Sequence, residues 1–126
     1  MRFGPVILLC VLAACDAPTP GFRGAEVSRH VIEGSAFTVH VTGGLAEAVR
    51  TNAQWAPRIG PLAGRAAIAI QRASGCRVTE MAGDAAVLMA RLSCSAPVRP
   101  ACEVEAVLKG RRGYRLPVVR HCAGAA

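Results

Sequence analysis

Residues 35–42 read SAFTVHVT, and the reading of that octet decides the fold. Phe37, Val39 and Val41 alternate with Thr38, His40 and Thr42, the period of two that marks a strand with one face covered and the other in water. On that pattern His40 points to solvent. Gly43-Gly44 ends the strand. Residues 45–56 then carry Leu45, Ala48, Val49 and Asn52 at helical spacing, so a helix is expected there. Pro57 breaks it, because proline lacks the N–H and clashes with the preceding turn. Gly60-Pro61 restarts it, with Pro61 suited to a first helical position. Leu62, Ala66, Ala69, Ile70 and Ala73 make an apolar stripe, Arg65 and Arg72 share another face, and Gly75 is a stop. Trp55, beside the break, is expected as a core anchor.

Downstream the pattern turns strand-like. Residues 76–81 and 85–94 flank Ala82-Gly83-Asp84, a turn signal between two extended runs. Residues 85–90 are apolar on both faces, which suits a central strand, with helix as the alternative. Residues 95–100 hold two prolines and read as a loop. Residues 102–108 and 114–121 then flank Lys109-Gly110-Arg111-Arg112-Gly113, a hairpin with a basic tip. The expected fold class is α+β: a small antiparallel sheet, built from a strand, a broken helix and two hairpins, packed on helix and tied by two disulfides.

The cysteines follow from the hairpins. Cys76, Cys94, Cys102 and Cys122 are an even set in a small domain, and four cysteines permit three connectivities. The first hairpin brings Cys76 towards Cys94, and the second sets Cys102 opposite Cys122. Bridged cysteines need Cα atoms about 4.4–6.8 Å apart, which adjacent antiparallel strands supply, so these two pairings are expected. Zinc is the alternative, but there is no C-x-x-C pair and His30, His40 or His121 would have to complete the set. No metal and no cofactor is expected.

The N-terminus has another character. Arg2, the apolar run to Leu12 and the small residues Ala13 and Ala14 have the layout of an export signal. The run falls far short of the roughly 20 residues that cross a hydrocarbon core. Leu12-Ala13-Ala14-Cys15 resembles the lipobox of bacterial lipoproteins. That resemblance implies a diacylglyceryl group on the Cys15 thiol, cleavage after Ala14, and a lipid anchor in the cell envelope with a periplasmic-facing domain. It covers only the first fifteen residues. Asp16 resembles the inner-membrane retention signal of enteric bacteria, and the choice between inner and outer membrane stays open. The expected division is a signal peptide over 1–14, a lipid-anchored tether over 15–24, where Pro18, Pro20 and Gly21 favour turns, and one domain over 25–126.

Removing residues 1–14 leaves 112, enough for one modest core, and lowers the formal charge from +7 to +6. Lys109 is the only lysine. The basic stretch Lys109, Arg111, Arg112, Arg115 and Arg120 is the candidate surface for an anionic partner: lipid, envelope polysaccharide or an acidic envelope protein. Its plain alternative is a solvated hairpin tip. An exported chain meets no nucleic acid, so none is expected as partner. No G-x-S-x-G, phosphate loop or C-x-x-C occurs. Glu103 and Glu105 on one strand face read as an exposed edge, and His121 beside an oxidised Cys122 has no thiolate to activate. The expected function is therefore a binding or accessory module at the membrane, not an enzyme. The rivals are a periplasmic enzyme using His40 or His30 with a carboxylate such as Glu80 or Glu103, and a structural envelope protein without a specific ligand.

Overall fold

The computed structural model describes residues 19–55, 57–95 and 102–121. Its frame is one sheet of seven strands: β1 (Glu26–Ile32), β2 (Ser35–Thr42), β3 (Leu45–Arg50), β4 (Arg77–Gly83), β5 (Val87–Ser93), β6 (Glu103–Lys109) and β7 (Arg115–His121), with helix α1 (Ile59–Ser74) between β3 and β4. The order across the sheet is β1-β2-β3-β5-β4-β6-β7. Neighbours are antiparallel except β4 and β6, which run parallel.

Four sequence expectations are corrected here. The expected helix over 45–56 is replaced by strand β3, which pairs with both β2 and β5. Leu, Ala, Glu and Arg are good helix formers, but a slot between two strands outweighs a preference of a few tenths of a kcal/mol per residue. The polar segment before β2 is a strand as well, so the small antiparallel sheet of one strand and two hairpins gives way to a mixed sheet of seven. The broken helix becomes a single helix that starts at Ile59, after a loop. Among the described residues one disulfide closes, Cys76 with Cys94 at a Cα separation of 4.5 Å, where two were expected. The other pairing, Cys102 with Cys122, falls on Cys122, which lies outside the described residues.

The elements whose signals are local match the sequence reading. The β4–β5 hairpin turns at Gly83-Asp84, where the Asp84 carboxylate accepts the N–H groups of Ala86 and Val87. Residues 85–90 lead into β5, a central strand. The β6–β7 hairpin turns through a short 3-10 segment, Arg111–Gly113, with Arg112 at φ 69°. Gly75, at φ 71°, caps α1 by donating its N–H to Gln71 O.

The sheet curls around α1. Residues 66–71 of the helix are all buried, which is more than one full turn, so cover comes from every side. The helix touches all seven strands, both edges included. Alanines make this close wrap feasible: Ala63, Ala66, Ala67 and Ala69 are buried, and the bulk comes from Phe37, Met81, Leu88 and Leu108 on the sheet. The sheet thus has a concave face filled by α1 and a convex face turned away from it. Pro117 lies in β7, an edge strand, where the missing donor breaks no ladder between neighbours.

Candidate functional site

Strand register assigns each residue to a face. His40 pairs with Val27 on one side and Glu47 on the other, and Glu47 pairs with Met89. These four stand on the convex face, because Val39, Ala48 and Leu88 beside them belong to the core under the helix. Continuing by register, the convex face carries Val27, Arg29 and Val31 from β1, Leu45 from β3, Met89 and Arg91 from β5, Glu80 from β4, Val107 and Lys109 from β6, and Arg115 and Val119 from β7. Val27, Val31, Leu45, Met89 and Val119 are exposed, Val31 to 69%. Of these, Leu45 and Met89 lie close together on neighbouring strands, while Val27, Val31 and Val119 stand singly on the sheet edges.

One part of that face is covered. His40 and Glu47 are 3% and 0% exposed although no helix lies over them. The cover is the N-terminal segment: Pro20–Phe22 forms a 3-10 turn with Phe22 buried, and the Thr19 N–H and hydroxyl both donate to the Glu47 carboxyl group. His40 Nδ1 stands 3.9 Å from Glu47 Oε1 and has no hydrogen-bond partner among the described residues. The expectation that His40 faces solvent is corrected: it does leave the helix-covered face, but a strap of chain lies over it. Glu47 escaped the sequence reading because residues 45–56 looked helical. With β3 recognised as a strand, its offset from His40 across Gly43-Gly44 places the two side by side.

The partners proposed for His40 lie elsewhere. Glu80 takes Lys109 at 3.0 Å and Arg91 at 3.7 Å. The hydrogen bond from Lys109 is the main reason that the Glu80 carboxyl sits below its ordinary pKa, and Arg91 and Arg115 add to it. The Glu103 and His121 side chains lie outside what is described. His30 is on the opposite face from His40, with its Nε2 2.9 Å from Ser28 Oγ, and partial burial followed by the charge of Arg72 lowers its pKa. Among the described residues no group of three or more side chains is arranged to hold a metal ion.

No family model, curated protein or solved structure matches this chain.

The basic hairpin divides in two. Lys109 and Arg115 pair across β6 and β7 on the convex face, while Arg111 and Arg112 occupy the exposed turn. Tyr114 lies across the turn, its ring where a Cβ on Gly110 would stand. Arg120 points the other way, to Glu33 over α1. Next to Lys109, the residues Leu45, Glu80, Ala82, Met89 and Arg91 line a shallow depression with an apolar floor and a charged rim. Trp55 is 98% exposed, which corrects the expectation of a core anchor. It lines a cleft with Arg58 and with Pro61, Leu62 and Arg65 of α1, on the helix side of the molecule. No helix among the described residues is long and apolar enough to cross a membrane.

Proposed function

We propose that this chain is a small lipid-anchored protein of the bacterial cell envelope whose domain acts as a binding or accessory module at the membrane surface. The anchor is the Cys15 thiol within Leu12-Ala13-Ala14-Cys15, and the domain faces the periplasm. Two or three acyl chains, at about 0.8 kcal/mol per buried methylene, hold far more firmly than a single myristoyl chain. The observation that carries the reading is the position of Thr19: four residues after Cys15, it is bound to Glu47 on the sheet face that no helix covers. An anchor so near the domain keeps it at the bilayer. Lys109, Arg111, Arg112 and Arg115 then supply contacts to an anionic partner.

Intact mass of the protein extracted from its native membrane tests this. Loss of residues 1–14 together with added acyl mass is expected, and Cys15→Ser abolishes both. Mature protein cut elsewhere, without acyl mass, overturns the reading.

A further inference from the structure

Four peptide steps separate Cys15 from Thr19, and a fully extended chain of that length reaches about 14 Å. A domain of about 100 residues has a radius of gyration of about 13 Å. A tether that short, leaving from above β3 on the convex face, cannot carry the attachment point round to the helix side. The bilayer therefore lies opposite the convex face.

That face has the chemistry of an interfacial surface. Its exposed side chains Leu45 and Met89 are apolar and stand beside Arg91 and Lys109, which share Glu80, with Arg115 paired across from Lys109. Apolar groups enter the headgroup boundary while cations meet anionic headgroups, the combination by which peripheral segments bind membranes. We propose that the part of the convex face around β3, β5 and the Lys109 end of β6, and not the helix side, docks on an anionic phospholipid bilayer. The proposal rests on the lipid anchor at Cys15 and adds an orientation and a ligand class to it. The depression between Leu45, Met89 and Lys109 lies at the centre of the contact. The strap of residues 19–22 is held on the sheet by the hydrogen bonds of Thr19 to Glu47.

The chain carries its own control. Trp55 is the only tryptophan, it is exposed, and it lies on the helix side. The test uses the mature lipidated protein in vesicles of phosphatidylcholine with or without phosphatidylglycerol, the acyl chains brominated to quench tryptophan on contact. In a Trp55→Phe background, Met89→Trp and separately Leu45→Trp move the reporter to the convex face. Both reporters are expected to lose half or more of their emission in vesicles containing phosphatidylglycerol, while Trp55 of the unaltered protein keeps its emission. Adding Arg91→Ala and Arg115→Ala is expected to shift the docking equilibrium back by roughly 25-fold, at roughly five-fold per cation near a charged surface.

Quenching of Trp55 with bright convex reporters overturns the orientation, and so does a domain in which no reporter is quenched. Equal quenching without phosphatidylglycerol overturns the anionic requirement. Convex reporters shielded from bromine and from a water-soluble quencher alike, by a co-purifying protein, assign the face to that protein instead. Intact mass of the same sample keeps the two readings apart. Absence of acyl mass removes the anchor and the docking together, whereas acylated protein with bright convex reporters removes the docking alone.

Discussion

Glu33 and Arg120 stand 87 residues apart in sequence and form a hydrogen-bonded ion pair across α1, joining the turn after edge strand β1 to edge strand β7. The same Glu33 oxygen takes Arg65 of the helix at 3.3 Å, so one carboxylate ties both sheet edges to the element they enclose. Glu33 is half exposed, so its coupling to Arg120 is expected at about 0.2–1 kcal/mol and screened by salt. A double-mutant cycle with Glu33→Gln and Arg120→Met measures it. Hydrogen exchange should rise in β7 before it rises in the central strands.

Stability is expected to fall with acid in two stages. Burial and Arg72 lower the pKa of His30 below its ordinary 6.5, so the unfolded chain takes up a proton first and stability declines as pH drops below 6.5. Arg120 depresses Glu33 below 4.5, and the N–H groups of Val87 and Ala86 depress Asp84 below 3.8. Their contributions are complete above those ordinary values and are lost as pH falls through the depressed ones. Thermal melts between pH 7 and 3 follow this, and His30→Asn should flatten the slope between pH 7 and 5 only.

Two glycines predict opposite signs. A Cβ at Gly83, where φ is 138°, would stand 2.2 Å from the Val87 carbonyl oxygen, so Gly83→Ala is expected to cost at least about 2 kcal/mol. A Cβ at Gly64 would meet only the Arg120 side chain at ordinary contact, 3.6 Å away. Gly64→Ala in the helix interior should therefore stabilise by about 0.5–1 kcal/mol. Denaturant midpoints decide both.

The disulfide of Cys76 with Cys94 spans 18 positions and links the start of β4 to the end of β5. Chain-entropy reasoning gives about 3 kcal/mol for a loop of this size. Cys76→Ser with Cys94→Ser should lower stability by about that much and leave the far-ultraviolet spectrum unchanged.

Thr19→Val removes the hydroxyl that donates to Glu47 and keeps the side-chain volume. A buried acceptor that loses its donor costs about 1–3 kcal/mol. The loss should be local: residues 19–25 become open to proteolysis and His40 gains access to a histidine-modifying reagent, while β4–β7 keep their exchange protection.

How much of this was legible depended on how locally each signal acts. Alternation in Ser35–Thr42 marked a true strand, and Gly83-Asp84, Gly110 and Gly75 marked true ends, because turn and cap chemistry is settled within a few residues. Alternation does not say what covers each face. His40 was placed off the helix-covered face correctly and in water wrongly, since its cover comes from residues 19–22. The residues of β3 have helical spacing and helical composition, and only the neighbours β2 and β5 make them a strand. That one misreading hid Glu47, and with it the carboxyl group beside His40. The parallel pairing of β4 with β6 joins segments separated by β5 and left no local mark. Trp55 is expected in the core from its place beside a helix break, and the break is instead a loop before α1 that leaves the ring exposed.

Pro117 has a consequence for crowding. Proteins confined to a plane meet their own copies side by side at high local concentration, and a free β-edge is then a template for lateral growth from one copy to the next. On β7 that edge is interrupted at its third residue by a group with no hydrogen to offer, while the far edge is a different strand, β1. Pairing of copies through β7 would leave a gap at Pro117 in every repeat, which disfavours lateral growth through that edge.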